Sequence, residues 1–450
     1  MNLRARFSAI HQDHHRIARA AGRVAFFLII GKLAGALKEM AIAYRYGVSP
    51  EVDAYQFTMT LTTWLPVTVV GVLSVVLIPV LVALNKKSFK EQTTFISEFQ
   101  GWLLVLGLAL VVVTICAWPE ILKQLGASLS ADVQGMTTSL LWAFAPGALL
   151  TLFVGFSAAR LRSHERHINT LLDSVPALVL LVWLLVAGPA SGLAPLLWGT
   201  LIGFIAQAVW IVALAARADA AGWGIPRLSF RSEEWPTLFN AMGIMLIGQI
   251  AMSFVGPLDQ YAAATIGNHA NSTMGYASRL LSLLLGIGAA SVGRAALPVL
   301  ADIQSSGDSL RARTMALKWS GLMLAAGCAA ALAAWVLTPV GVALLFQRGA
   351  FTATDTEIVA SVLRWGLLQV PFYFGVLVLV QLLASQQRYG LIAVIAVLNF
   401  ALKAVLNFLL APRLGLQGIM IATACMYALS YLCYLFAARR PVLHPPSGQA

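Results

Sequence analysis

The chain has 450 residues, of which 59% are hydrophobic and 11% charged, and its mean hydropathy is +0.82. A soluble domain needs far more polar surface, so the composition excludes a mostly soluble protein and makes a bilayer the solvent. Thirty Lys and Arg oppose eighteen Asp and Glu, a formal charge of +12, but most of these cations sit in short segments between apolar runs. There they read as topology signals and anionic-headgroup contacts, which speaks against a nucleic-acid partner.

A spanning helix takes roughly 20 apolar residues. After a polar tail over 1–16, such stretches fall near 17–46, 55–84, 101–118, 136–159, 170–188, 193–216, 235–257, 272–300, 314–337, 356–385, 389–411 and 416–438. No small-residue cleavage site follows the first run, so Ala20 onward is expected to be a retained signal anchor. One set of alternate connections receives Arg4, Arg6, Arg16 and Arg19, then Lys86, Lys87 and Lys90, then Arg160, Arg162 and Arg166. It continues with Arg217, Arg227 and Arg231, then Arg311 and Arg313, then Arg388, and ends with Arg439 and Arg440. The other set holds little beyond Lys123, Arg348 and Arg413. By the excess of cations on cytoplasmic loops, both termini are cytoplasmic and the number of spans is even.

Within the first and seventh spans a pattern repeats. Glu39-Met-Ala-Ile-Ala-Tyr-Arg-Tyr-Gly47, with Leu77-Ile-Pro-Val-Leu81 downstream, has a counterpart in Asp259-Gln-Tyr-Ala-Ala-Ala-Thr-Ile-Gly267 and Ala296-Leu-Pro-Val-Leu300. The fold class expected is therefore an all-α polytopic membrane protein of about twelve transmembrane helices in two six-helix lobes related by a parallel repeat, an arrangement used by transporters. The lobes are 17–216 and 235–438, with a cytoplasmic linker over 217–234 and a tail over 439–450.

Charges inside a bilayer cost about 2.5 to 3.5 kcal/mol each on insertion scales and normally face a polar cavity or a partner. The first span carries Lys32, Lys38 and Glu39; Lys32 and Glu39 share a face at seven-residue spacing. Arg279 lies early in the eighth span. These three bases are read as cavity cations for an anionic substrate, against an internal ion pair or snorkelling. Arg23, Arg294 and Arg364 lie nearer span ends, where snorkelling is the better reading. Lys403 stands mid-span between Asn399 and Asn407 on one face, open to either reading. Glu39, Asp173 and Asp259 are the acids available for ion coupling.

Val342–Phe351, within 340–352, is too short to span and reads as an amphipathic helix on the outer interface or as a capped connector. His11, His14 and His15, and His164 and His167, lie on basic segments and read as headgroup contacts before metal ligands. Cys116, Cys328, Cys425 and Cys433 fall in apolar runs without metal-ligand spacing and are expected to pack. No phosphate loop for ATP and no long outer loop for a glycosyltransferase or ligase site is present.

Three stretches resemble the MurJ/MviN lipid II flippase family within the multidrug/oligosaccharidyl-lipid/polysaccharide (MOP) exporter superfamily. They are Gly31–Gly47 followed by Asp53-Ala-Tyr, Tyr276-Ala-Ser-Arg-Leu280 with Leu297-Pro-Val-Leu300, and Leu345-Phe-Gln-Arg-Gly-Ala-Phe-Thr-Ala-Thr-Asp-Thr356. The resemblance implies a MOP/MATE-like fold and a flippase without a catalytic residue. Its cavity cations Lys32, Lys38 and Arg279 would hold a pyrophosphate, Glu39 would stand beside the second, and Asp53, Lys403 and Asn399 would be secondary cavity residues. It implies no cofactor or metal, with coupling to membrane potential or an ion gradient. The partner implied is an undecaprenyl-pyrophosphate-linked glycan in the bacterial inner membrane, alongside a polymerase and glycosyltransferases of the same pathway.

The chain departs from the family pattern. Two arginines are lysines, Pro66 and Val67 stand where a second-helix arginine pair is usual, and Ser278 replaces an acid. A terminal pair of spans is also missing by the hydrophobic count. An exopolysaccharide repeat unit is therefore slightly preferred to lipid II; a MATE-like drug or cation antiporter and a multi-span glycan polymerase or ligase are the alternatives.

Overall fold

The computed structural model describes residues 30–164, 169–188, 191–219, 224–288, 309–386 and 388–439. Arg23, Arg166, Arg294, His11, His14, His15, His167, the Leu297–Leu300 copy of the repeat and both chain tails lie outside the described residues.

Among the described residues there is no strand; the chain is a succession of helices. In order they are α1 (residues 30–46), α2 (Pro50–Leu84), α3 (Phe89–Leu125), α4 (Ala131–Ser163), the short α5 (Asn169–Leu172), α6 (Val175–Val186) and α7 (Ala194–Ala218). Then come α8 (Glu234–Ser253), α9 (Val255–Ile266), α10 (Ala270–Gly288), α11 (Ser309–Phe346), α12 (Ala353–Leu367), α13 (Val370–Ser385), α14 (Tyr389–Leu414) and α15 (Leu416–Arg439). Seven of these, α2, α3, α4, α7, α11, α14 and α15, are long and apolar enough to cross a membrane.

Proline explains where helices differ from the expected spans, because it lacks the N–H that would continue a ladder. The run at 356–385 is two helices, α12 and α13, bent by about 40° next to Pro371, which taken together are long and apolar enough for an eighth crossing. Pro176 likewise starts α6 after the turn at Asp173 and Ser174, which leaves Asp173 exposed. Other spans are longer than their apolar cores. The 37 residues of α3 make a rod of about 55 Å against some 30 Å of hydrocarbon.

The outer-interface segment resolves as the connector. Val342–Phe346 are the last turns of α11, and the turn that follows holds Gly349 at a φ of +59°. A capping box then opens α12: Thr352 Oγ1 accepts from the Asp355 N–H at 3.2 Å, and Asp355 Oδ2 accepts from the Thr352 N–H at 2.8 Å. The cysteine expectation also needs correction. Cys116, Cys328 and Cys425 are exposed on apolar helix faces and only Cys433 is half-buried.

The chain divides into two compact units. Unit 1 draws on residues up to Arg45, on Leu65–Trp118 and on Met136–Asn240; unit 2 draws on Tyr46–Trp64, Pro119–Gly135 and the residues from Ala241 on. In unit 1, α6 packs along α7, and Arg45 donates to the Ala187 carbonyl at 2.8 Å and the Leu184 carbonyl at 3.3 Å at the end of α6. A cation there satisfies carbonyls that have no partner in the helix and faces its negative end. Arg160, expected as a loop cation, is buried instead. Its guanidinium grips both carboxylate oxygens of Asp219 at 2.8 and 2.7 Å and lies over the Phe156 ring, a planar fork that lysine lacks.

The connection before α8 is strapped to α3 by one buried acid. Glu98 accepts from Ser229 Oγ at 2.6 Å, the Arg231 N–H at 2.8 Å, the Ser232 N–H at 3.1 Å and Trp235 Nε1 at 2.9 Å. Nearby, Trp102 stacks on Phe230 at 4.6 Å and the Arg227 N–H donates to the Ser97 carbonyl at 2.9 Å. Lys87 closes on Glu234 at 2.7 Å, which raises its ammonium above the ordinary lysine range. Removing the Glu98 carboxylate leaves buried donors unmet, so Glu98→Ala is expected to cost about 3 kcal/mol. Trypsin should then cut at Arg227 and Arg231 roughly tenfold faster than in wild type; equal cutting would show that the strap does not depend on Glu98.

Candidate functional site

Unit 1 supplies the candidates on α1. The Lys32 side chain is exposed, whereas Lys38 and Glu39 form an ion pair of 2.6 Å with side chains 12% and 7% exposed. Two adjacent helical residues point apart by about 100°, so the long lysine stem folds back to reach its neighbour. The acid thus neutralises the base beside it.

Unit 2 gathers the residues that carry the family resemblance into one junction. Asp53, on the first turn of α2 and 1% exposed, accepts the main-chain N–H of His269 at 2.5 Å and of Ser272 at 2.7 Å. These groups belong to the amino end of α10, where N–H groups have no intrahelical acceptor and the helix dipole favours negative charge. His269 holds φ at +67°, a conformation that costs a non-glycine residue about 1 kcal/mol or more. Tyr276, two turns into α10, donates to the Gly47 carbonyl at 2.9 Å and meets Phe351 edge-on at 5.2 Å and Phe346 at 5.1 Å.

The junction aims Arg279. Gln56 lies three residues after Asp53, on the same face of α2, and its side chain fills the space beside Gly275, with Cδ 3.0 Å from where a Cβ would be. Arg279 Nη2 reaches Gln56 Oε1 at 3.4 Å and the side chain is half-buried. Asp53 is therefore committed to a helix end, and Arg279 is the cation that this helix end places.

A second polar cluster in unit 2 joins residues far apart in sequence. Asn399, Lys403 and Asn407 follow at four-residue spacing on the buried face of α14. Lys403, fully buried, pairs with Asp259 of α9 at 2.8 Å and donates to the Ile419 carbonyl at 2.8 Å and Thr423 Oγ1 at 2.6 Å, both on α15. Asn407 Nδ2 also donates to Asp259 Oδ1 at 2.8 Å. Lys403 and Asp259 were legible separately; that they are partners was not, because 144 residues separate them and the Asn-x-x-x-Lys-x-x-x-Asn face was the only local signal. Arg364 reaches the Trp335 carbonyl at 3.4 Å.

A family model described as lipid II flippase MurJ matches residues 42–449. The chain belongs to the MurJ family. A probable lipid II flippase MurJ of Bdellovibrio bacteriovorus is 30% identical over 243 residues, 53% of this chain and 45% of that relative, so the chain spans under half of its length. The probable lipid II flippase MurJ of Synechocystis sp. is 24% identical over 94% of this chain and 82% of its own. Among solved structures, a lipid II flippase MurJ in an inward closed conformation matches with a TM-score of 0.78 at 19% identity, over 93% of this chain and 87% of that one. An inward-facing multidrug resistance MATE family transporter of the MOP superfamily matches with a TM-score of 0.71 at 13% identity, over 90% and 94%. The expected MOP/MATE-like polytopic helical fold is thus the observed one.

Because Asp53 spans two helices of the MurJ-family fold, its loss is felt at both. Asp53→Ala should lower stability by about 1–2 kcal/mol, read as a lower thermal midpoint of the detergent-purified protein. Asp53→Asn keeps one acceptor and should lose less. Equal midpoints for all three proteins would remove the capping role.

Proposed function

We propose that this MurJ-family chain is a flippase that carries an undecaprenyl-pyrophosphate-linked saccharide from the cytoplasmic to the periplasmic leaflet by alternating access. The observation that carries this reading is the family match over 42–449, and it favours lipid II over the exopolysaccharide unit preferred on sequence alone. The residues are consistent with an anionic headgroup. Unit 1 offers Lys32 and Lys38, the latter paired with Glu39, and unit 2 offers Arg279. A pyrophosphate moved into a low-dielectric interior without cations would pay a prohibitive desolvation cost.

The localisation that goes with this reading is the bacterial inner membrane with both termini cytoplasmic, a reading supported by the excess of Lys and Arg on alternate connections. Coupling to the membrane potential or an ion gradient belongs to the same reading, as do a polymerase and glycosyltransferases as pathway partners. An exopolysaccharide repeat unit remains the second reading, on the ground that Pro66 and Val67 stand where the family pattern has arginines, with Val67 57% exposed. A drug or cation antiporter is not favoured, since it would want acids where these bases stand.

Complementation of a lipid II flippase deletion decides between the substrates. Growth rescue by the wild-type chain is expected, and failure at good membrane expression would turn the assignment to another glycan. In the same assay Arg279→Ala and Lys38→Ala should each lower flipping roughly ten- to a hundredfold, the worth of one charge-assisted contact. Arg279→Lys should retain part of it. Full flipping by correctly inserted alanine variants would remove these residues from the site.

A further inference from the structure

A lysine ammonium has three N–H donors and no acceptor. Around Lys403 three oxygens of different kinds meet them: Asp259 Oδ1 at 2.8 Å, the Ile419 carbonyl at 2.8 Å and Thr423 Oγ1 at 2.6 Å. The oxygens are also held by bonds in which the lysine takes no part. Thr423 Oγ1 donates to the Ile419 carbonyl at 3.0 Å, and Asn407 Nδ2 donates to Asp259 Oδ1 at 2.8 Å. Two amide oxygens of the same α14 face, Asn399 Oδ1 and Asn407 Oδ1, are buried with no hydrogen-bond partner. Carboxylate, carbonyl and hydroxyl oxygens collected about one buried positive charge are the donor types that hard cations select. One carboxylate sets the charge of the occupant, since a buried site must come close to neutrality.

We infer that the Lys403 ammonium is a tethered counter-ion occupying an all-oxygen site for a small monovalent cation, built by α9, α14 and α15. Unit 2 then carries its positive charge covalently at this place. A dissolved alkali cation has no room there while the lysine is present, and shortening the side chain to Cβ opens the site to one. Any coupling to an alkali-cation gradient must use other residues. This inference does not depend on which glycan is carried, and its readout is binding and stability, so its failure leaves the flippase reading where it stood.

The test compares thermal midpoints of detergent-purified wild type and Lys403→Ala in NaCl and in choline chloride of equal ionic strength. Wild type should show the same midpoint in both salts. Lys403→Ala should be less stable in choline and regain about 3 °C or more in NaCl, and Lys403→Ala combined with Asp259→Ala should lose that sodium response. Should the single variant be too unstable to purify in choline, the yield of monodisperse protein in sodium against choline gives the same comparison. Indifference of Lys403→Ala to the two salts, or equal failure in both, overturns the inference. So does a sodium-specific rise in the wild-type midpoint that Thr423→Ala removes, an arm that needs no lysine variant.

Discussion

The amino end of α10 is fixed by a carboxylate that is not its own. A helix that begins inside a membrane protein has N–H groups that neither water nor the preceding turn can satisfy, and α10 begins at a histidine held in the left-handed region. Asp53 meets two of those donors from α2, and Tyr276 returns a bond from α10 to the Gly47 carbonyl. These bonds set the angle and register at which α10 runs beside the start of α2. Gln56 and Arg279 then come together at the next available turn, and the connector around Phe346 and Phe351 closes over the tyrosine.

The same accounting recurs at four further buried charges among the described residues. Lys38 is met by Glu39, Arg160 by Asp219, Lys403 by Asp259, and Glu98 by four N–H and O–H donors. Removing one partner of such a pair is far more damaging than replacing both, because an uncompensated charge stays behind. The pairs differ in kind. Asp219 takes the fork of Arg160 on both oxygens, whereas the contact between Arg279 and Gln56 is long, at 3.4 Å, and made to a neutral amide.

Helix content and the polytopic class were legible because apolar run length needs no tertiary information. Proline breaks at 176 and 371 were harder to read, since Pro119, Pro146 and Pro339 sit inside continuous helices. Context, not the residue, decides whether the ladder resumes. In the candidate site, Lys38 beside Glu39 could be read as a pair because they are adjacent. The role of Asp53 could not, because the donors it accepts from are main-chain N–H groups more than 200 positions away, and main-chain donors leave no mark in a sequence. Arg160 misled for a related reason: an arginine at a helix end looks like a loop cation until the acid that buries it is seen.

Both copies of the internal repeat end their helix at a glycine of positive φ, Gly47 at +58° and Gly267 at +130°. The second has open space around it; the first does not, because a Cβ there would lie 2.3 Å from the Ala350 carbonyl oxygen. Position 47 therefore resists other residues on two unrelated counts, a left-handed backbone that costs about 1–2 kcal/mol and, more severely, a lack of room. A compensating change elsewhere could move the Ala350 chain aside, yet would leave the backbone conformation unrelieved. That residual strain is only about 1–2 kcal/mol in the left-handed region, so room is what closes position 47, whereas at 267 the space is open but a φ of +130° with a ψ of −166° is a backbone that essentially only glycine adopts.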